Sequence, residues 1–258
     1  MDKKHKLRSS PQLRFCIPNP RAWATVLAIR TRRGIGARRG FKKAPQSGKR
    51  FGDSTFTGTG GPLQIIETGI PGLLRLEPRV FRDERGFFLE TYRRDLFAAL
   101  GVSAGFVQDN HARSEQPGVM RGLHFQLPPA TQAKLVWVTR GAVFDVAVDL
   151  RVGSPSYGQW YGCELSERNF ARLFVPQGFA HGYMTLEPGT EFQYKVDAYY
   201  SPEHDAGIAW DDPDLGIAWP DISPILPVLS DKDRRLPRLR DFRSPFTFEP
   251  ASPAKADA

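Results

Sequence analysis

Two histidines lie in similar surroundings in this chain, and their side chains are the first candidates for chemistry. His124 stands in the stretch RGLHFQ (121–126), and His181 stands in VPQGFAHGY (175–183). Histidine binds metals through its neutral imidazole and also exchanges protons near neutral pH. Two histidines and a distant carboxylate are fewer ligands than the usual set of a protein metal site, so metal binding is disfavoured. For His124, the residues alone leave two alternatives: a general base, or a histidine satisfied by backbone hydrogen bonds in a barrel wall.

Short strands must position these histidines, because from residue 63 onward β-rich runs alternate with turn-forming clusters. Val, Ile, Phe, Tyr and Trp recur in runs separated by Gly, Pro, Asp and Asn at intervals of about ten residues, which is typical of an all-β sandwich or barrel. In AVFDVAVDL one face is strongly apolar, and the other carries Asp145 and Asp149. The stretch after Trp219 is expected to wrap the barrel surface. The predicted strands are 73–83, 86–92, 134–140, 142–150, 158–165, 171–176, 181–187 and 190–200, and the one clear helical pattern is 93–101.

The β-rich body follows a basic segment of different composition. Residues 1–61 carry 15 Lys and Arg against 2 Asp and Glu, which leaves 21 basic and 26 acidic residues in the remainder. We predict that residues 1–62 form a mostly disordered basic extension, either a targeting peptide or a product of start-site choice. One domain is expected over 63–245, followed by a C-terminal tail over 246–258.

The composition also excludes several classes of protein. The body is mildly acidic and gives no footprint for the phosphate backbone, so no nucleic-acid partner is expected. No run reaches the roughly 18–20 apolar residues of a membrane span. Cys16 and Cys163 are the only cysteines, which favours a reducing compartment, and we expect the protein in the cytoplasm.

VPQGFAHGY has the form P-x-G-x-x-H, which resembles the second motif of the cupin superfamily. In cupins this turn delivers a ligand into the mouth of a double-stranded β-helix jelly roll, so the resemblance implies that fold, with only a few short helices. Metal-binding cupins carry H-x-H and a nearby glutamate in their first motif, whereas here the matching residues are His124-Phe125-Gln126. Because a glutamine replaces the second histidine, no metal is expected, and His124 becomes a candidate for acid–base chemistry.

A much longer resemblance runs from about residue 64 to residue 240. The segment FVQDNHARS…VMRGLHFQLPPATQAKLVWV (106–138) resembles, almost residue for residue, the central signature of the dTDP-4-dehydrorhamnose 3,5-epimerase family. The chain is therefore identified as a member of this family, with residues 1–62 outside the resemblance. The other matching segments follow in the family's order: FRDERGFFLETY (81–92), GAVFDVAVDLR (141–151), SPSYGQWYGCEL (154–165), VPQGFAHGY, YKVDAYYSPEHDAGIAWDDPDLGIAWP (194–220) and LSDKD (229–233).

The resemblance implies an epimerase that needs no cofactor. The family converts dTDP-4-dehydro-6-deoxy-D-glucose to dTDP-4-dehydro-L-rhamnose by inverting C3 and C5. Both carbons are α to the C4 ketone, so each can lose a proton to give an enolate and regain one on the opposite face. Such a site needs a base, an acid across the ring, a group that stabilises the enolate oxygen and a clamp for the diphosphate. Because some relatives invert only one carbon, the alternative is a 3- or 5-mono-epimerase acting on a related dTDP-4-keto-deoxysugar.

Four residues match the catalytic positions of the family. The resemblance implies that His124 is the base and that Asp233 of LSDKD holds its imidazole. It also implies that Tyr194 is the acid on the opposite face, since tyrosine keeps its proton at neutral pH, and that Lys134 polarises the C4 carbonyl. From the residues alone, Asp233 would be a solvated charge, Tyr194 a core tyrosine and Lys134 an exposed lysine at a strand end.

Further matches are expected to bind the substrate. Arg121 and Arg85 suit the diphosphate, because a guanidinium binds phosphate oxygens bidentately. Gln108 and Asn110 suit the nucleotide. The full substrate-binding set implied by the resemblance is Phe81, Arg85, Glu90, Gln108, Asn110, Arg121, His181 and Tyr200; Phe81 or Tyr199 would stack on thymine, Tyr200 is a second candidate for the acid, and His181 is a supporting residue.

In the family, the segment that carries DERGFF crosses into the partner's site. We therefore expect a homodimer with exchanged N-terminal strands of the domain, in which Arg85 and Glu90 serve the other subunit. The chain departs from the family at Ala112, where a serine is common, so one hydroxyl is lost from the QDNHARS loop.

Two other classes of function compete with an epimerase. A non-catalytic cupin that only binds sugar nucleotide is disfavoured, because a pure binder needs no acid and base together. A nucleic-acid binder would have to act through the basic extension.

Overall fold

The computed structural model describes residues 63–102 and 105–250. The extension predicted over 1–62 and the end of the predicted tail, 251–258, lie outside the described residues. Phe246 is buried in the core, and Thr247 forms a bridge to Val152, so the packed chain continues beyond the predicted domain boundary at 245. In the described residues no helix is long and apolar enough to cross a membrane.

Strands dominate the described chain, as predicted. One short helix in the described residues, α1 (Arg94–Ala99), lies within the predicted helical stretch. It is followed by Gly101 at a φ of 77°, which suits a helix end. Three 3₁₀ turns occupy Pro202–His204, Asp233–Arg235 and Leu239–Asp241. The strands are β1 (Leu63–Glu67), β2 (Leu74–Pro78), β3 (Phe81–Asp83), β4 (Gly86–Phe88), β5 (Gln108–Ser114), β6 (Met120–Gln126), β7 (Lys134–Arg140), β8 (Ala142–Asp149), β9 (Trp160–Ser166), β10 (Arg172–Val175), β11 (Phe179–Thr185), β12 (Thr190–Val196) and β13 (Asp205–Gly207).

Two antiparallel sheets pack face to face as a jelly roll. The larger has the order β1-β2-β10-β7-β12-β5, and the smaller has the order β13-β6-β11-β8-β9. The inner core lies between them, because Val136 and Leu173 of the larger sheet pack in one cluster with Ala147 and Phe179 of the smaller. The strands β3 and β4 pair with each other and not with either sheet, and they form a hairpin whose residues are exposed.

The outer face of each sheet is covered in a different way. α1 covers part of the larger sheet, where Phe97 packs with Leu135 and Trp137. The chain after Trp219 covers the smaller sheet, where Phe246 packs with Val148. The predicted wrapping of the barrel by this C-terminal stretch is therefore confirmed.

Both faces of the smaller sheet are covered, and this explains why β8 is more buried than its sequence pattern indicates. The mixed face of this strand is as buried as its apolar face, and Asp145 and Asp149 are fully buried. Burying a carboxylate is unfavourable unless it is paired. Asp149 accepts hydrogen bonds from Arg151, Ser154 and Ser156, and Asp145 is paired within the cavity described below.

Four strands of the described chain, β1, β5, β6 and β13, were missed by the sequence patterns. The QDNHARS segment, expected as a loop, is strand β5, which pairs with β12 along its whole length. Its residues alternate between exposed and less exposed positions, but the less exposed side is polar and does not resemble a core strand. The strand β6, which carries His124, contains Gly122 and was also not predicted.

Candidate active site

An open cavity of about 440 Å³ lies between the two sheets, and both sheets contribute side chains to it. The smaller sheet supplies residues from β6 and β11, and the larger supplies residues from β7 and β12. A 3₁₀ turn near the C-terminus supplies the carboxylate of Asp233. The cavity thus brings together six of the twelve predicted site residues, namely Arg121, His124, Lys134, His181, Tyr194 and Asp233.

The predicted base and its carboxylate are in direct contact. His124 Nε2 lies 2.6 Å from Oδ1 of Asp233, whose side chain is 5% exposed. Burial raises the pKa of Asp233, but the hydrogen bonds from His124 and Ser230 outweigh burial and hold this pKa below its usual value. The carboxylate therefore stays ionised at neutral pH and fixes the imidazole, which leaves Nδ1 as the nitrogen available to take a proton.

Two glycines allow the strands that carry the histidines to approach closely. His181 on β11 lies directly opposite His124 on β6. A Cβ on Gly122 would lie 2.6 Å from Cα of Gly182, and a Cβ on Gly182 would lie 2.6 Å from the carbonyl oxygen of Arg121. Any side chain at either position would push the two strands apart. The glycines of RGLH and AHGY therefore set the spacing of this wall.

His181 has a carboxylate of its own. Its Nε2 lies 3.0 Å from both oxygens of Asp145 on the neighbouring strand β8, and both residues are buried. Sequence reasoning did not assign Asp145 to the site, although an acid between Phe144 and Val146 in an apolar run was a signal. In residues 63–102 and 105–250, no group of three or more His, Cys, Asp or Glu is placed to hold a metal ion.

Tyr194 and Lys134 reach the cavity from the opposite sheet. Burial raises the pKa of Tyr194, with Arg121 acting in the other direction, so its hydroxyl is protonated at neutral pH. Burial lowers the pKa of Lys134 to about 8, although the carboxylates of Asp145 and Asp205 partly oppose this effect. Lys134 Nζ donates to the backbone carbonyl of His124 at 3.4 Å. A tyrosine with its proton and a mostly charged ammonium thus stand across from the histidine.

Apolar side chains that sequence reasoning missed complete the wall. Tyr183 and Phe192 stack with ring centroids 4.1 Å apart, and Met120 also lines the cavity. Ala112, the position at which the resemblance predicted a lost hydroxyl, lines the cavity too.

The carboxylate of Asp205 pairs with both Lys232 and Tyr200. Lys232 lines the cavity and, like the hydroxyl of Tyr200, donates to Oδ2 of Asp205. This hydrogen bond raises the pKa of Tyr200. Tyr200 is 52% exposed and does not line the cavity, which favours Tyr194 as the acid.

The other predicted site residues lie outside the cavity wall of their own chain. Phe81 and Arg85 are on the exposed β3 and β4 hairpin, where Arg85 pairs with Asp83. Gln108 Nε2 donates to Oδ1 of Asn110 at 2.9 Å on β5. The six residues that do not line the cavity are Phe81, Arg85, Glu90, Gln108, Asn110 and Tyr200.

Comparison with known proteins agrees with this fold. The family model of dTDP-4-dehydrorhamnose 3,5-epimerases matches residues 67–241. The chain belongs to this family. The dTDP-4-dehydrorhamnose 3,5-epimerase of Sinorhizobium fredii is 53% identical over 173 residues, which are 67% of this chain and 88% of that protein.

Solved structures of the epimerase family match the same part of the chain. The dTDP-4-dehydrorhamnose 3,5-epimerase of Bacillus anthracis, with TDP and PPi bound, has a TM-score of 0.66 and 51% identity over 69% of this chain and 99% of that chain. The enzyme of Legionella pneumophila in complex with dTDP-4-keto-L-rhamnose has a TM-score of 0.69 and 42% identity over 73% of this chain and 100% of that chain. The predicted family and jelly-roll fold are confirmed.

Proposed function

We propose that the chain converts dTDP-4-dehydro-6-deoxy-D-glucose to dTDP-4-dehydro-L-rhamnose by inverting C3 and C5. One observation carries this proposal: the pair of His124 and Asp233 faces Tyr194 and Lys134 across a cavity between two sheets. A base and an acid on opposite walls are what inversion at a carbon requires.

The first step is the removal of a proton. His124 Nδ1 takes the proton from C3 or C5, the C–H electron pair forms a C=C bond to C4, and the π pair of the C4 carbonyl moves to its oxygen, giving an enolate. Asp233 stabilises the resulting imidazolium, while the ammonium of Lys134 stabilises the enolate oxygen. Arg121, at the same cavity, is proposed to hold the diphosphate.

The second step returns a proton to the opposite face. Tyr194 donates its phenolic proton to the carbon, the enolate collapses to the C4 ketone, and the configuration is inverted. Between steps the imidazolium loses its proton to water and the tyrosinate regains one. No oxidant or reductant is consumed.

A homodimer is part of the proposal. Phe81, Arg85 and Glu90 match substrate-binding positions of the family, yet they do not line the cavity of their own chain. We propose that they complete the site of the partner subunit. The cytoplasm is proposed as the location from the cysteine content, and no nucleic acid is assigned as a partner.

Turnover in deuterium oxide tests the reaction. The protein is incubated with dTDP-4-dehydro-6-deoxy-D-glucose, and NMR follows deuterium in the sugar ring. Incorporation at both C3 and C5 with formation of dTDP-4-dehydro-L-rhamnose is expected. Incorporation at C3 alone would contradict the double inversion and favour the mono-epimerase.

Two variants test the assignment within this assay. His124→Ala should abolish exchange at both carbons, and near-full turnover by this variant would refute the assigned base. Removal of residues 1–62 should leave epimerisation unchanged and abolish any affinity for DNA, because the extension lies outside the matched family region.

A further inference from the structure

The carboxylate of Asp205 lies at the side of the cavity, and the proton transfers proposed above do not involve it. Asp205 begins β13, the edge strand that pairs with β6, and lies directly opposite Gln126. Two residues later, Gly207 lies opposite His124. Because alternate residues of a strand and their cross-strand partners share a face, Asp205 points to the same side of the smaller sheet as His124. Its side chain is 18% exposed, so solvent screens this charge only in part.

Two distant parts of the chain donate hydrogen bonds to Asp205. The ammonium of Lys232 donates to Oδ2, and the hydroxyl of Tyr200 donates to the same oxygen at 2.8 Å. Lys232 directly precedes the 3₁₀ turn that carries Asp233. The backbone N–H of Tyr200 donates to Oε1 of Gln108 on β5 at 3.1 Å. Asp205 therefore connects the C-terminal turn to the strands around the cavity.

Lys232 depends on this contact for its place at the cavity. Its side chain lines the cavity and is 44% exposed. A lysine side chain has four rotatable carbons and loses much conformational entropy when it is held in one position. Its ammonium has three donors, of which Asp205 accepts one. The carboxylate thus fixes an ammonium that can still donate to an oxygen in the cavity.

Asp205 also acts through space on Lys134. Burial lowers the pKa of Lys134 to about 8, the carboxylates of Asp145 and then Asp205 oppose this effect, and the ammonium of Lys232 adds to it. Asp145 is already bound to His181, whereas Asp205 is bound to the competing cation itself. The other ionisable groups of the cavity wall are Arg121, His124, His181, Tyr183, Tyr194 and Asp233.

Tyr194 is affected in the same sense. Burial raises the pKa of its hydroxyl, Arg121 opposes this effect, and Asp205 adds to it. A negative charge beside a proton donor favours the form that keeps the proton. We refer to Lys134 and Tyr194 as the acid wall, and Asp205 favours the protonated form of both.

We propose that Asp205 is the positioning residue of the acid wall, where its carboxylate holds the Lys232 ammonium in place and balances the charge of Lys134. This inference deepens the proposed epimerisation and rests on it for the role of Lys134. Without the carboxylate, two ammonium groups would repel each other across the cavity. Lys134 would then lose its proton more easily, because it is the more deeply buried of the two.

Titration of the lysines in the full-length chain tests the proposal without any sugar. The protein is labelled with carbon-13 at the lysine ε position, and NMR follows each signal with pH; the signal that is missing in Lys134→Arg belongs to Lys134. Asp205→Asn is expected to lower the titration midpoint of Lys134 by at least about half a pH unit, and Asp205→Glu is expected to keep it within about 0.2 pH unit of the wild type. Asp211→Asn neutralises an exposed acid that follows β13 and should leave the midpoint unchanged.

Removal of Lys232 gives the opposite sign. Lys232→Met takes away the competing cation and should raise the midpoint of Lys134. In the double variant Asp205→Asn with Lys232→Met, at least about half of the shift caused by Asp205→Asn should be recovered, because the two groups act on each other. Circular dichroism checks folding, and Lys232→Met, at an exposed position, keeps the test valid if Asp205→Asn does not fold.

Three outcomes overturn the proposal: a folded Asp205→Asn or Lys232→Met variant with an unchanged Lys134 midpoint, a folded Asp205→Glu that titrates like Asp205→Asn, or a folded double variant without recovery. Sugar turnover is measured on the same samples to separate the two proposals. The expected titrations in a wild type without turnover would support the role of Asp205 and contradict the proposed function. An active wild type with an unchanged midpoint in Asp205→Asn would contradict only the role of Asp205.

Discussion

Replacing Asp233 with asparagine would remove the charge behind His124 while keeping the side-chain shape. In the protein the carboxylate lies 2.6 Å from His124 Nε2 and is 5% exposed, so solvent screens the pair weakly. A hydrogen bond to a charged group contributes about 1.5–3 kcal/mol, and truncating one member of a buried charge pair costs about 2–5 kcal/mol. Because the charge matters most once His124 has become an imidazolium, we expect a barrier increase of about 3–4 kcal/mol. At about 1.4 kcal/mol per decade, kcat should fall roughly 100- to 1000-fold.

The coupled assay with a downstream reductase measures this loss in Asp233→Asn. KM should change much less than kcat, because Asp233 contacts the base from the side away from its reactive nitrogen. Asp231→Asn is the matched control, since Asp231 is an exposed acid two residues earlier in the same turn. If kcat of Asp233→Asn stays within threefold of the wild type, or if the control loses as much, the paired imidazolium is not the species that limits turnover.

Three further predictions concern other walls of the cavity. Tyr194→Phe should keep exchange of the abstracted proton with solvent, while net inversion falls about 100-fold or more, as NMR in deuterium oxide would measure. Lys134 acts as an ammonium, so its own contribution to the rate should be complete below pH 7 and should be lost as pH rises through about 8, whereas Lys134→Arg should move this loss to higher pH. Gly182→Ala places a Cβ 2.6 Å from the carbonyl oxygen of Arg121 and should reduce the free energy of unfolding in urea by about 1–3 kcal/mol, whereas Gly105→Ala, with open space around it, should not.

The spacing of apolar runs predicted most strands of the barrel but missed two strands that line the cavity, β5 and β6. β7 and β8 are rich in apolar residues and were predicted within one residue of their bounds. β5 was expected as a loop because its less exposed side carries Gln108, Asn110 and Ala112 in place of core residues, and Ala112 lines the cavity. A strand that lines a polar site loses the hydrophobic pattern by which strands are recognised.

In the site, too, sequence motifs identified the matched residues but not the groups whose role depends on burial. Motif matching brought His124 and Asp233 together although 109 positions separate them in the chain. It did not assign Asp145, because the need for that carboxylate arises only when His181 is buried against β8.

The two histidines of the cavity wall are direct cross-strand neighbours, and each contacts a carboxylate, yet they differ in access to solvent. The His124 side chain is 30% exposed and its Asp233 partner 5%, whereas the His181 side chain is 7% exposed and Asp145 is fully buried. A base must release the abstracted proton before the next inversion, so it needs a path to water. His124 has that path. His181, enclosed with Asp145, is suited to holding a fixed position against the substrate, and the division of roles follows from burial, not from the histidines themselves.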